Sequence, residues 1–278
     1  MDIASPRTSG THALRLIRKI AEAGHRIFTP GTLQEVAQES GLQLKQLNEA
    51  LHRLARDGWI VRLRRGLYSL SSQVFRETPL HEFEIAMALV EPAAISHRSA
   101  MNFHGLTEQI PQTVYVLTTT EAALPRERRK GKEEEGHVDL SRYRFIQIRP
   151  ARFFGTEKVW VGESAVSITT IERTLLDGLE KPRYCGDFGE VLHAFQVAIR
   201  DTRLNLDRLI DHACRLDTAT AKRTGWVLER LGVESARLLR LMEMPINGYR
   251  SLDPSGPGEG RYNPRWGIQE NLPSGIPQ

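Results

Sequence analysis

Apolar positions in the first seventy residues repeat three times with a helical period and then switch to alternation. Leu14, Ile17, Ile20 and Ala21 fall on one face of a helix predicted over His12–Ala23, which Gly24 ends. A short extended piece, Arg26–Thr29, comes next. Thr32-Leu33-Gln34-Glu35 fits a capping box, in which the Thr oxygen and the Glu carboxylate each satisfy an orphan backbone N–H. The second helix therefore starts near Thr32 and stops at Ser40-Gly41. Leu44, Leu47, Leu51 and Leu54 then form the buried stripe of a third helix, Leu44–Asp57. In GWIVRLRRGLYSL the pattern changes to alternation, which predicts strands Trp59–Leu63 and Leu67–Leu70 joined at Arg64-Arg65-Gly66.

Helix, short strand, helix, tight turn, helix and two-stranded hairpin is the order of a winged helix-turn-helix. In such folds the helix after the turn enters the major groove. At about 100° per residue, the face of that helix opposite the leucines carries Lys45, Gln46, Glu49, Arg53 and Arg56. Lys45 and Gln46 have the chemistry for guanine and adenine edges, while Arg53 and Arg56 are better placed for phosphates. Arg62, Arg64 and Arg65 sit on the hairpin. Two plainer readings stand beside this one: a solvated outer face, and a winged helix that binds protein. Charge favours a polyanion partner at this end. Residues 1–78 hold 12 basic and 7 acidic residues, a net +5, against 26 and 27 in the remainder, a net −1.

Residues 71–79 look like a linker, so the chain is expected to hold a DNA-binding domain at 1–78 and a larger one at 79–278. The second begins with a helical pattern over Leu80–Val90. Ser96 then caps a helix ending at Gly105, with His97 and His104 seven residues apart on one face. A metal or catalytic role for them needs a third ligand or an acidic partner that the spacing does not identify; packing or capping is the alternative. Strands are predicted over Thr113–Thr119, Tyr143–Arg149 and Lys158–Val161, with an exposed charged insertion at Pro125–His137. Thr169-Thr170-Ile171-Glu172 fits a second capping box and opens a helix with Leu175, Leu176 and Leu179 on its apolar side. Further helices are expected at 187–200, started by Asp187 with Glu190, and at 205–216, 218–231 and 235–243. From residue 246 a Pro- and Gly-rich extended tail carries Tyr249, Leu252, Tyr262 and Trp266 as anchors. The predicted fold class is α+β, a winged helix-turn-helix followed by a larger mixed α/β domain with a helix-rich C-terminal half.

No apolar run is long enough to span a bilayer, and the N-terminus has no apolar leader core. Cys185 and Cys214 are the two cysteines, without zinc-ligand spacing. A cytoplasmic protein without cofactor, structural metal or membrane partner is expected. There is no G-x-S-x-G, Walker loop, G-x-G-x-x-G or H-E-x-x-H, so no catalytic residue is assigned. Asp139 with Glu157 and Val159 matches a nuclease carboxylate set only loosely, because Lys158 follows the glutamate directly. Asp177 has solvation or a local salt bridge as its expected role.

The basic winged helix is followed by SHRSAMNFHGLTEQIP at 96–111, TTIERTLLDGL at 169–179, GYRSLDP at 248–254 and NPRWGIQEN at 263–271. This ordered set resembles the AbiEi family, the antitoxins of bacterial abortive-infection systems, over nearly the whole chain. The resemblance implies a winged helix that represses its own operon at promoter inverted repeats; reading an inverted repeat then needs two copies on the DNA, as a dimer or as cooperatively bound monomers. It also implies a C-terminal domain that counteracts an AbiEii-type nucleotidyltransferase toxin. Such pairs are classed as type IV toxin–antitoxin systems, in which direct contact is not required; direct contact and toxin modification stay open as alternatives. The insertion at 125–137 departs from the family pattern. A defence-locus enzyme with a DNA-binding N-terminal domain, a nuclease or toxin-modifying protein using His97, His104, Asp139 and Glu157, is the alternative reading.

Overall fold

The computed structural model describes residues 7–71, 79–121 and 139–272, so linker residues 72–78, the insertion at 125–137 and the Leu44 side chain lie outside the described residues. The chain divides into two compact units, Met1–Leu89 with Ala123–Ser141, and Val90–Ala122 with Arg142–Gln278. Together they make a mixed α/β chain of the expected class, with a winged helix in the first unit.

The first unit runs α1 (Arg7–Glu22), β1 (Ile27–Phe28), α2 (Gln34–Glu39), α3 (Leu44–Arg56), β2 (Ile60–Arg64), β3 (Leu67–Leu70) and α4 (Glu82–Leu89). α1 buries Leu16, Ile17 and Ile20, whereas Leu14 is 51% exposed. The expected stripe therefore shifts: Leu16 lies about 40° from Ile20 around the helix, and Leu14 about 120° away. Thr32 does not cap α2, which starts two residues later with Leu33 at its N-cap. Its hydroxyl instead accepts the Thr29 N–H at 2.9 Å and donates to the Thr29 carbonyl at 2.9 Å, closing the turn that precedes the helix. Leu16, Phe28, Leu33, Leu47, Leu51, Leu54 and Ile60 share one core. β3 is the central strand of a three-stranded sheet, between β1 and β2. The buried Glu84 of α4 meets Arg26 at 3.2 Å and accepts the His81 N–H at 3.0 Å, so α4 is tied to the loop before β1.

The second unit is built on β4 (Ala93–Ile95), β5 (Val114–Thr118), β6 (Tyr143–Gln147), β7 (Thr156–Val161) and β8 (Ser164–Thr169), with α5 (His97–Phe103) between β4 and β5. The strand order is β6-β5-β4-β8-β7, which places β6 and β7 at the edges. β8 is not predicted by the sequence pattern, because Ser167 to Thr169 reads as the start of the next helix. That helix, α6 (Ile171–Glu180), is capped by Thr170 accepting the Arg173 N–H at 3.4 Å, one residue later than predicted. Glu172 is thereby freed from the box, and its buried carboxylate accepts the Asn205 N–H at 3.0 Å and meets Arg208 at 3.6 Å. It satisfies the start of α8 (Leu206–Leu216) instead of its own helix. α7 (Phe188–Arg200) begins as predicted, with Asp187 accepting the Glu190 N–H at 2.9 Å. α9 (Thr218–Arg230) and the short α10 (Leu239–Met242) complete the helical half.

The expected extended tail contains a small sheet of its own, β9 (Arg250–Ser251), β10 (Arg261–Asn263) and β11 (Ile268–Glu270), in the order β10-β11-β9. Of its four expected anchors, Leu252 and Trp266 are fully buried, while Tyr249 and Tyr262 stay exposed with ring centroids 4.7 Å apart. Trp266 lies on Gly225 of α9 and donates its indole N–H to Glu229 at 2.7 Å. A Cβ on Gly225 would overlap the Trp266 ring. Gly225→Ala is therefore expected to destabilise the second unit by about 1–3 kcal/mol, as overpacking does, despite the better helix propensity of alanine. A thermal midpoint at or above that of the wild type would show that the tail is not seated on α9 in this way.

Candidate nucleic-acid interface

The geometry of the first unit is set by the turn between α2 and α3. Gly41 adopts a φ of +76°. Its N–H reaches the Gln38 carbonyl at 3.0 Å, and the Leu42 N–H reaches Ala37 at 2.9 Å. This glycine-terminated cap closes α2 and lets the chain reverse into α3 within four residues, Ser40 to Gln43. α3 then buries Leu47, Ala50, Leu51 and Leu54, which turns its other face to solvent.

Lys45, Gln46, Glu49 and Arg56 are exposed on that face, and Arg53 is half-buried. Their surroundings differ. Arg53 approaches Glu49 at 3.6 Å and Arg56 approaches Asp57 at 3.3 Å, so each has an acidic neighbour. Gln46 lends its side-chain oxygen to the Gln43 N–H at 3.4 Å, a long bond that ties it to the start of α3. Lys45 makes no ion pair among the described residues. An open cleft lined by Gln38, Gly41, Leu42, Gln43 and Lys45 runs beside it.

The wing places Arg62 and Arg64, both half-buried, on β2 and the exposed Arg65 in the turn. Arg62 pairs with Tyr68 in register and Arg64 with Leu67, with a bulge between them, and Gly66 makes the bend at a φ of +72°. Such a bulge twists a strand and re-aims its side chains. Arg64 Nε is buried and meets no hydrogen-bond acceptor among the described residues. A half-buried guanidinium with an unsatisfied donor is a group whose energy improves when an anion arrives. Nothing in the sequence pattern signals that difference between Arg64 and its neighbour Arg65.

A helix-turn-helix followed by a two-stranded wing defines the first unit as a winged-helix module of the kind found in DNA-binding regulators. Residues 15–71, which span this module, match the family described as "Transcriptional regulator, AbiEi antitoxin". The segments at 96–111, 169–179, 248–254 and 263–271 lie outside that match. Over both units the backbone is similar to a crystal structure of the RV2827C protein from Mycobacterium tuberculosis, with a TM-score of 0.66 and 16% sequence identity. The similarity covers 96% of this chain and 92% of that one, and at this identity it is a likeness of fold. No curated protein sequence matches the chain.

The candidate residues of the second unit do not converge. His97 and His104 stand at the two ends of α5, as their seven-residue spacing between Ser96 and Gly105 requires. His97, at the first position, has a left-handed φ of +49° and lies with its ring 5.4 Å from Tyr184. His104, at the C-cap, has its Nε2 2.7 Å from the Thr169 carbonyl. Glu157 is exposed on β7, while in the first unit Asp139 accepts the Ser141 N–H at 3.0 Å. Asp177 is buried and bonded to Arg173 at 2.8 Å, so its role is the local salt bridge and not solvation. No helix among the described residues is long and apolar enough to cross a membrane, and no three His, Cys, Asp or Glu residues among them are grouped to hold a metal.

Burial, reinforced by the charges of Lys181 and Arg173, lowers the His97 pKa from 6.5 to about 3. In the unfolded chain His97 takes up a proton near its ordinary value, so between those two pH values the unfolded state binds more protons. Stability therefore falls as the pH drops, with a His97 contribution of about 1.4 kcal/mol per pH unit. Urea unfolding at stepped pH tests this: the stability advantage of wild type over His97→Asn should shrink by about that amount per unit from pH 6 to 4. Asparagine tolerates the left-handed backbone. Parallel pH profiles for the two proteins would show that His97 is not held neutral.

Proposed function

We propose that the protein is a transcriptional autorepressor and antitoxin of a bacterial abortive-infection operon, acting in the cytoplasm. Its winged helix binds inverted repeats in double-stranded promoter DNA, and the second unit counteracts a nucleotidyltransferase toxin. The reading is carried by one observation: Lys45 at the start of α3 and Arg64 and Arg65 at the wing tip present cationic groups that meet no carboxylate among the described residues, on a module that matches an antitoxin regulator family. An inverted repeat takes two copies of such a module, through a dimer or cooperative monomers.

The roles divide by chemistry. Lys45 and Gln46, at the N-terminal end of α3, face base edges. Arg64 and Arg65 clamp the neighbouring backbone, where they fix register without reading sequence. Arg53 and Arg56 give weaker phosphate contacts, because Glu49 and Asp57 must first release them. Arg62 supports the wing strand beside them. Neutralisation of the toxin is assigned to the second unit because the first is occupied with DNA.

Arg64→Ala with Arg65→Ala is expected to weaken binding to every duplex and to lower the salt dependence by roughly 0.9 in log–log slope for each phosphate left without its arginine. Gln46→Ala should leave that slope intact and relax base preference at one position by about 1–3 kcal/mol. Mobility shifts on the native promoter across a salt series separate the two, and an unchanged shift for the double arginine variant would sink the wing assignment. In cells producing the toxin, the same double variant should still restore growth while promoter repression is lost. Loss of both together would place toxin neutralisation on the DNA-binding surface.

A further inference from the structure

A second cationic feature lies wholly within the second unit and is independent of the promoter-binding reading. At the β6 edge of the sheet, Arg144 stands in register with Tyr115 of β5. The Tyr115 carbonyl accepts the Ser96 N–H at 2.9 Å, and His97, the next residue beyond the end of β4, has its ring 6.1 Å from that of Tyr115. The short helical turn Pro182–Tyr184, which comes after α6, sets Tyr184 against both rings, with ring centroids 5.6 Å from Tyr115 and 5.4 Å from His97.

Two guanidiniums then converge on Tyr184. Arg144 donates to its hydroxyl at 3.3 Å and Arg183 at 3.2 Å. Their central carbons lie 4.8 Å and 4.9 Å from the ring centroid. Both arginines are exposed, and among the described residues neither meets a carboxylate. Some other arginines of this unit are paired, among them Arg152 with Glu180 and Asp217, Arg173 with Asp177, Arg208 with Glu172, Arg240 with Asp211 and Arg265 with Glu229, whereas Arg223 meets a carbonyl and Arg215 an aromatic ring. Burial acts to raise the Tyr184 pKa, but the two arginines outweigh it and the net shift is downward, the mark of a local positive field. Two like charges held on one neutral oxygen repel each other unless an anion joins them. The left-handed backbone of the buried His97 beneath them is a strained conformation, of the kind that clusters at binding sites.

We propose that Arg144 and Arg183, spaced by Tyr184, form a phosphate-binding site of the second unit. The ligand chemistry is a phosphoryl oxyanion, carried either by a free nucleotide or by a nucleic-acid backbone. Planar guanidiniums suit it because each offers paired N–H donors to phosphate oxygens. On binding, the phosphate replaces the phenol oxygen as the shared acceptor. Tyr184 is thus a spacer that holds the two arginines apart and oriented before the anion arrives.

The test uses the full chain. Wild type and Arg144→Gln with Arg183→Gln are titrated calorimetrically with inorganic phosphate and with GTP. Both are also titrated with an unrelated DNA duplex in an Arg64→Ala, Arg65→Ala background that removes the wing arginines. Binding of phosphate or GTP that weakens at least about tenfold in the glutamine variant, at an unchanged melting temperature, supports a free-nucleotide site. Weakening confined to the duplex, with the salt slope lowered by about two, supports a backbone site. Tyr184→Phe, which removes only the competing acceptor, should bind at least as tightly as wild type. If the glutamine variant melts normally and neither probe loses affinity, the proposal is overturned. Because the wing is already disabled in the duplex arm, that result would leave promoter recognition by the first unit untouched.

Discussion

The Arg173 guanidinium is withdrawn from water in the middle of the second unit, with its side chain 1% exposed, and everything around it is arranged to neutralise it. Asp177, one helical turn on, meets Nε at 2.8 Å. The Arg152 and Phe154 carbonyls take Nη1 at 2.7 Å and 3.2 Å, and the Phe154 ring lies 4.7 Å from the guanidinium carbon. Breaking such a pair from one side leaves a buried charge without a partner, at a cost of about 3–5 kcal/mol. The constraint fixes α6 against the loop that leads into β7. It also fixes the course of the chain beyond α6, since that helix ends at Glu180 and runs straight into the turn carrying Arg183 and Tyr184. The position of that pair over the β6 edge is therefore a consequence of the buried ion pair two turns upstream.

The first unit depends on a simpler constraint. α3 has one apolar face, and burying Leu47, Leu51 and Leu54 leaves the other face outward. Once the Gly41 turn sets the entry of α3 and the β2–β3 hairpin closes behind it, Lys45 and the wing arginines are carried by one small framework. The acidic neighbours are as informative as the basic residues. Glu49 and Asp57 hold Arg53 and Arg56 in local pairs, while Lys45, Arg64 and Arg65 lack such partners among the described residues.

Much of this architecture is legible along the chain because it is local. The α3 stripe, the hairpin around Arg65-Gly66 and the Asp187 cap rest on residues within a few positions of one another. Sequence and structure part where a local signal is ambiguous. Thr32 and Thr169 both fit a capping box, yet one hydroxyl closes a turn and the other residue ends a strand. Glu172, which completes the second box on paper, serves the start of a different helix thirty-three residues away. Leu14 and Leu16 both read as apolar, and Leu16, which lies nearer Ile20 around the helix, is the one buried. The small sheet of the tail stays hidden because its strands are two or three residues long, too short to show a period.

The sequence by itself therefore determined the winged-helix order, the outward face of α3, the basic excess of residues 1–78 and most helices of the second unit, since periodicity and charge are properties of neighbours. Tertiary structure decided which partner each charged group meets. It buried Arg64 Nε with no acceptor among the described residues while leaving Arg65 exposed. It brought Arg144 to Tyr184 across forty residues of chain. Those pairings arise from strand order and helix packing, which link residues far apart in sequence, so no local pattern could carry them.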